Sequence, residues 1–320
     1  MCYSAQIVAD HRQFERLYGA QIDIEQFVKL FWERQGGNRA RKIPKAMEAA
    51  FSAPRDDDEL QVHDCIDAFA ATQASTLQQE LFAQTRRLAD AQRKLQLKPT
   101  KAAAESQRIA TSKIAAIRAR LSDLQRTEAR PDDSRIFPGM YAPVMVWEHG
   151  RRVVKPMRYQ CRPAGKPADY DTRFPGTYNA RRDSLARFWK GEFGHRHGIV
   201  VVNAFYENVA RHAAEGRALA PDEAEQNVVL QFRPEPQQDM LVACLWSHWT
   251  GPGEPELLSF AAITDAPPPE VAAAGHDRCI VAIKPENIDA WLNPDPADLA
   301  AQYAILDDRE RLHFDHRMAA

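Results

Sequence analysis

GIVVVNAFYE, residues 198–207, is an apolar run rich in β-branched and aromatic side chains that ends in a glutamate. Such residues favour a β-strand, and comparable short segments lie at 145–147, 227–232 and 241–246, separated by Pro and Gly. Few helical patterns stand between these segments, which favours an antiparallel sheet or barrel over a doubly wound sheet. The sequence therefore predicts a sheet domain in the second half of the chain.

Residues 56–130 show a helical pattern instead. The acidic run at 56–59 is typical of the first turn of a helix, where the helix dipole favours negative charge. Apolar side chains then recur at near-heptad or three-and-four spacing on both sides of a break at 98–100, which contains a proline. They are Leu77, Leu81, Leu88, Leu95, Ile114, Ile117, Leu121 and Leu124. We predict two long helices folded back on each other. Their basic side chains most simply lie on the helix faces that contact water.

This hairpin divides the predicted fold. Residues 1–55 and 131–320 form an α+β core, a mostly antiparallel, barrel-like sheet with flanking helices, and residues 56–130 are an inserted helical arm. Residues 3–32 predict helix, with amphipathic spacing over 24–31.

Composition narrows the function classes. A net charge of -2 with 44% hydrophobic and 27% charged residues is ordinary for a globular protein. The chain has no apolar run of membrane-spanning length and no signal-peptide layout, so we expect a cytoplasmic protein without a membrane partner. The five cysteines contain no Cys-x-x-Cys pair, which argues against a disulfide framework and a structural zinc site. We expect no metal and no cofactor.

The first two residues, Met1 and Cys2, offer unusual chemistry. If Met1 is removed, Cys2 carries an α-amine and a thiol on one residue. The amine can condense with an aldehyde to an imine, and the thiol can close on the imine carbon as a thiazolidine ring. This pair of nucleophiles suits the capture of an aldehyde.

Three later stretches add polar groups. Asn179, Arg181 and Arg182 follow a Pro-Gly turn, and a guanidinium offers a planar fork for phosphate. Glu207 ends the apolar strand, where burial would raise its pKa toward general acid-base use. His276 and Arg278 precede another apolar segment, and an imidazole there can exchange a proton near neutral pH.

Four motifs follow one another along the chain: Met1-Cys2, YNAR at 178–181, FYE at 205–207 and HDR at 276–278. In this order they resemble the SOS-response-associated peptidase (SRAP) family, whose members shield abasic sites in single-stranded DNA. The resemblance covers the first few residues and roughly 137–292. It implies a mostly β, α+β core with the mature N-terminal cysteine at a positively charged groove.

The resemblance also implies roles. Cys2 would form the thiazolidine with the abasic sugar, Asn179 would position Cys2, and Glu207 would shuttle protons and assist self-removal of Met1. His276 would assist opening of the sugar ring. Arg181, Arg182 and Arg278 would contact DNA. The expected partner is single-stranded DNA that contains abasic sites, bound by a monomer that associates with the nucleoid when on DNA.

The chain departs from the family at three places. Family members commonly begin Met-Cys-Gly-Arg, whereas this chain has Tyr3 and Ser4. The strand at 157–163 is poor in the tryptophans that abut DNA in the family. The helical arm is an insertion relative to the compact family core.

Two other functions stay open. Met-Cys starts also occur in N-terminal-nucleophile amidohydrolases, including glutamine amidotransferase domains, in which the amine is the base and the thiol attacks an amide. That class predicts a glycine-rich strand after Cys2, whereas residues 3–32 predict helix. The other alternative is a non-catalytic protein that binds a protein partner through the arm.

Overall fold

The computed structural model describes residues 3–36 and 41–319. The chain divides into two compact units. The sheet unit comprises residues 1–30, 39–53 and 130–320, and the hairpin unit comprises residues 31–38 and 54–129.

The sheet unit contains one sheet, to which twelve strands of the described residues belong. The strands are β1 (Ser4–Ile7), β2 (Gln21–Ile22), β3 (Arg135–Ile136), β4 (Tyr141–Glu148), β5 (Arg151–Tyr159), β6 (Asn179–Arg181), β7 (His197–Ala210), β8 (Asn227–Glu235), β9 (Met240–Gly251), β10 (Glu254–Asp265), β11 (Cys279–Ile280) and β12 (His313–Met318). Nine of the twelve strand pairings among the described residues are antiparallel, and the parallel ones join β2 to β5 and β10 to β5 and β6. The predicted α+β fold with a mostly antiparallel sheet is confirmed.

The long strand β7 is the centre of this sheet. One of its edges pairs with β4 and then β1, and the other pairs with β9 and then β8. Because both edges and both faces are covered, the run at 199–202 is buried throughout. A fully buried strand has no polar alternation, which explains the continuous apolar run in the sequence.

The start of the chain differs from the prediction. Residues 4–7 form β1, between β3 and β7, and Ser4 to Ile7 are all buried. The helical reading of residues 3–32 is therefore wrong at its beginning, because pairing with two strands overrides the weak local signal of a four-residue segment. The tail of the chain, which gives little local signal, likewise forms β12 against β8.

The helices are α1 (His11–Tyr18), α2 (Ile24–Gly36), α3 (Lys45–Ala49), α4 (Asp57–Leu97), α5 (Lys101–Gln125), α6 (Tyr170–Arg173), α7 (Arg211–Ala214), α8 (Pro269–Ala273), α9 (Ile288–Leu292) and α10 (Leu299–Asp307), with 3₁₀ turns at Pro131–Ser134, Arg182–Ser184 and Pro285–Asn287. None of the helices within 3–36 and 41–319 is both long and apolar enough to cross a membrane.

The hairpin unit is built from α4 and α5. Asp56 caps α4 by accepting from the Glu59 amide, and Thr100 caps α5 by accepting from the Ala103 amide. The two helices meet through Leu77, Ala103 and other buried small or apolar side chains. The long helical insertion predicted from the apolar spacing is present, and the break falls at 98–100 as expected.

Candidate functional site

Glu207 lies near the end of β7, where β1 and β8 flank the strand. It stands opposite Leu230 of β8, and its neighbour Tyr206 stands opposite Ser4 of β1. The Glu207 side chain is fully buried. Because β1 runs antiparallel to β7, the described start of the chain reaches this site directly.

His276 reaches Glu207 from the loop after α8. Gly275 precedes it with φ +92°, and a Cβ at that glycine would lie 2.7 Å from the Cβ of Ala213. Only glycine combines this left-handed backbone with such a close approach. The His276 amide donates to the Val271 carbonyl at 3.2 Å, which fixes the backbone that carries the ring.

The His276 ring connects a backbone carbonyl to Glu207. Its Nδ1 lies 2.8 Å from the Arg278 carbonyl oxygen, closer than the 3.4 Å to the Arg278 amide, so Nδ1 carries a hydrogen and donates it. Its Nε2 lies 3.1 Å from Glu207 Oε2. The ring can therefore exchange a proton with the carboxyl group.

Burial sets the charge of this pair. Desolvation, assisted by the nearby Asp277 carboxylate, raises the pKa of Glu207 to about 8. Desolvation also lowers the pKa of His276. The 3.1 Å separation is within ion-pair distance, but both pKa directions favour the neutral forms of Glu207 and His276 at neutral pH.

Asn179 lies at the start of β6, which runs parallel to β10. Its side chain is buried, and Oδ1 accepts from the Thr264 hydroxyl at 2.5 Å. Its Nδ2 is buried and has no hydrogen-bond acceptor among the described residues. Since an unmet buried donor costs about 1–3 kcal/mol, this amide is suited to a further acceptor.

The strand β10 brings the Asn179 and His276 segments to one end of the sheet. Its residues 262–264 pair with β6 on one edge, and 264–265 pair with β11 on the other. The β11 strand begins three residues after His276. Polar groups almost one hundred residues apart in sequence thus lie on the two sides of a single strand end.

Asp183 joins two of the three predicted DNA-binding arginines. It lies 2.6 Å from an Arg181 nitrogen and 3.4 Å from an Arg278 nitrogen. The guanidinium of Arg181 holds the pKa of Asp183 below its usual range. Arg182 points elsewhere, with its guanidinium 2.5 Å from Asp307.

The structure thus brings Glu207 and His276 together and, separately, Arg181 and Arg278. Cys2, the predicted nucleophile, lies outside the described residues, as does Met1. No group of three or more His, Cys, Asp or Glu side chains suited to a metal lies within the described ranges.

A sequence profile of the SOS response associated peptidase (SRAP) family matches residues 92–316. The chain belongs to this family. The matched range begins inside α4 and does not include Cys2. No curated protein matches the chain in sequence.

Three solved structures that resemble this chain come from two bacteria. A Bordetella bronchiseptica protein has 15% identity and a TM-score of 0.46, over 61% of this chain and 90% of that one. A Bacteroides thetaiotaomicron protein has 14% identity and a TM-score of 0.45, over 58% and 78%. A phage-related protein from Bordetella bronchiseptica has 22% identity and a TM-score of 0.42, over 58% and 81%.

The residues that replace the SRAP Gly-Arg pair have specific contacts. Tyr3 is half-exposed and lies edge-on to Phe137, with ring centroids 5.7 Å apart. Ser4 accepts a hydrogen bond from Arg135 Nε at 3.1 Å. The Arg135 guanidinium also lies 3.7 Å from the Tyr206 ring centroid, so a cation is supplied beside Ser4 by β3.

Sequence reasoning gave no role to three residues of this candidate site. Thr264 positions Asn179, Asp183 joins two arginines, and Asp277 contributes to the raised pKa of Glu207. Asp183 could have been found, because it follows Arg181 by two residues. Thr264 carries no local signal, since its contact depends on the pairing of β6 with β10.

Proposed function

We propose that this SRAP protein captures abasic sites in single-stranded DNA as a thiazolidine on Cys2, after removal of Met1. The observation that carries the proposal is the buried Glu207–His276 pair, joined at 3.1 Å beside the strand that begins the described chain. A carboxyl group with a pKa of about 8 is suited to proton transfer near neutral pH.

Chain connectivity supports the role of Cys2. Ser4 stands opposite Tyr206, one residue before Glu207. Cys2 precedes Ser4 by two residues, and consecutive Cα atoms are about 3.8 Å apart. The Cα atom of Cys2 can therefore lie no more than about 7.6 Å from that of Ser4, which is compatible with a role beside the proton-transfer pair.

The reaction needs several proton transfers. The ring oxygen of the abasic sugar takes a proton as the C1′–O4′ bond breaks, and the C1′ hydroxyl loses one, which gives the open aldehyde. The Cys2 amine adds to C1′, the resulting carbinolamine loses water, and the imine carbon accepts the sulfur as the nitrogen takes a proton. The net change joins aldehyde, amine and thiol as a thiazolidine and releases one water molecule. Glu207 and His276 supply the proton relay.

The same pair suits removal of Met1. Water adds to the Met1 carbonyl carbon, the bond between that carbon and the Cys2 nitrogen breaks, and the nitrogen takes a proton. Protonated Glu207 would donate that proton, which releases free methionine and the amine that capture requires. This step would account for a peptidase activity directed at the chain itself.

Binding roles follow from the remaining polar groups. The buried Asn179 amide needs an acceptor, which the Cys2 segment or the sugar would supply. Arg181 is about half exposed, with 49% of its side chain accessible. A DNA phosphate would replace Asp183 as the partner of its guanidinium group. Arg182 would contribute less, because only 28% of its side chain is accessible and Asp307 binds it.

The test is an abasic single-stranded oligonucleotide mixed with purified protein and run on a denaturing gel. We expect a heat-stable adduct for the natural chain, none for Cys2→Ala, and an unchanged amount for the matched variant Cys65→Ala. Intact-mass measurement should show loss of Met1. Equal adduct with Cys2→Ala would refute the proposal, and glutamine hydrolysis with ammonia release would support an amidohydrolase instead.

A further inference from the structure

The hairpin unit has a strongly divided charge. Residues 86–120 contain ten Lys and Arg but two Asp and Glu, a net charge of +8, whereas residues 56–80 contain seven Asp and Glu and no Lys or Arg. The whole chain has a net charge of only -2. The turn end of the hairpin is therefore a concentrated basic surface that the overall charge conceals.

Few of these cations are neutralised. Arg93 pairs with Asp90, and Arg108 pairs with Glu105. Across the described residues, the exposed side chains of Arg86, Lys94 and Lys101 form no ion pair. Like charges so close together repel one another, which a bound polyanion would relieve.

An open groove of about 800 Å³ runs between α4 and α5 at this end. Its lining includes Arg86, Arg87 and Lys94, together with the aromatic ring of Phe82. Phe82 is 66% exposed, and the Arg86 guanidinium lies 5.9 Å from its ring centroid. The exposed ring, beside a cation, can stack on a flat aromatic ligand.

We propose that this groove binds single-stranded DNA, with Arg86 and Lys94 on backbone phosphates and Phe82 stacked on a base. Unpaired bases offer a π-face to any aromatic ring, whereas the bases of a duplex are already stacked. The groove would bind single-stranded DNA regardless of its base sequence and regardless of whether it contains an abasic site. This inference rests on the proposed function only for its choice of polymer.

The experiment measures fluorescence anisotropy of an undamaged, labelled thymidine oligonucleotide with the full chain over a range of salt concentrations. The groove variant is the double substitution Arg86→Gln and Lys94→Gln. The matched variant is the double substitution Arg16→Gln and Arg151→Gln, which removes the same charge from exposed positions of the sheet unit. We expect the slope of log affinity against log salt to fall by about 1.4 in the groove variant, at about 0.7 per phosphate contact. The matched variant should keep the natural slope.

A third variant separates stacking from charge. Phe82→Ala should weaken single-strand binding roughly tenfold and leave the salt slope unchanged, with duplex binding unaffected. Far-ultraviolet circular dichroism, which reports helix content, should show that all three variants keep the hairpin.

Several results would overturn the inference. These are equal loss of affinity in the groove and matched variants, no loss with Phe82→Ala, or stronger competition by polyglutamate or anionic lipid vesicles than by DNA. Because the oligonucleotide carries no aldehyde, these results are independent of crosslinking at Cys2. Failure of the crosslink alone would leave the groove inference intact.

Discussion

The sheet unit and the hairpin unit use charged residues in opposite ways. The sheet unit withdraws Glu207 and His276 from water, and burial then shifts their pKa values. The hairpin unit keeps Arg86 and Lys94 on the surface, in contact with water. A general acid or base needs a pKa near neutral pH, so that it can release and take up a proton. Binding a polyanion needs side chains that stay charged.

The largest expected effect tests the role of the buried Glu207 in the sheet unit. Glu207→Gln removes the exchangeable proton and keeps the shape of the protonated carboxyl group. We expect adduct formation to slow by about 10²- to 10⁴-fold, the usual range for general acid-base catalysis. A time course on denaturing gels measures the rate, with saturating oligonucleotide so that binding does not limit it.

The control makes the same substitution on the hairpin. Glu80 is exposed on α4, and Glu80→Gln should leave the rate unchanged. If both variants react at the natural rate, Glu207 has no part in the chemistry. If both are slow, the difference between the two units does not explain catalysis.

Much of the fold was predictable because local patterns were strong. The hairpin followed from apolar spacing and a proline break, and the sheet followed from apolar runs such as 198–207. The strand β1 was missed, because four residues carry too little pattern to compete with a following helix. Its conformation depends on β3 and β7, which begin more than one hundred residues later.

The sequence predicts candidate site residues but not how the fold arranges them. His197 and His276 both stand beside apolar strands, and the sequence does not separate them. In the structure, His197 accepts from the Gly194 amide and contacts the Trp291 carbonyl, so the backbone uses both ring nitrogens. Of these two histidines, His276 is the one with a ring nitrogen near a carboxyl group, a distinction that depends on how the loop after α8 is placed within the sheet unit.

A smaller effect concerns stability and pH. The folded pKa of Glu207, about 8, exceeds the ordinary value of 4.5. The stabilisation from keeping this proton is complete below pH 4.5 and is lost as the pH rises toward 8, because the unfolded chain ionises first. We expect the natural chain to lose on the order of 3 kcal/mol relative to Glu207→Gln across that window.

Urea unfolding of the two proteins at a series of pH values measures this difference. Ionisable groups remote from Glu207 affect both proteins alike, so subtraction isolates Glu207 together with its coupling to His276 and Asp277. Glu80→Gln should follow the natural chain at every pH. A constant difference between the natural chain and Glu207→Gln across the window would show that burial does not hold the proton.

The smallest expected effect tests whether the hairpin depends on local helix signals. Thr100 caps α5 through the Ala103 amide, and Thr100→Ala should lower the local stability of α5 by about 1 kcal/mol. Thr111 lies exposed inside the same helix, and Thr111→Ala should raise it by a few tenths, because alanine has the higher helix propensity. Hydrogen exchange of α5 peptides measures both. Shifts in opposite directions would not occur if packing alone determined the helix, since neither side chain fills the interior between α4 and α5. Identical exchange in both variants would show that the hairpin, like the sheet, is held by tertiary contacts.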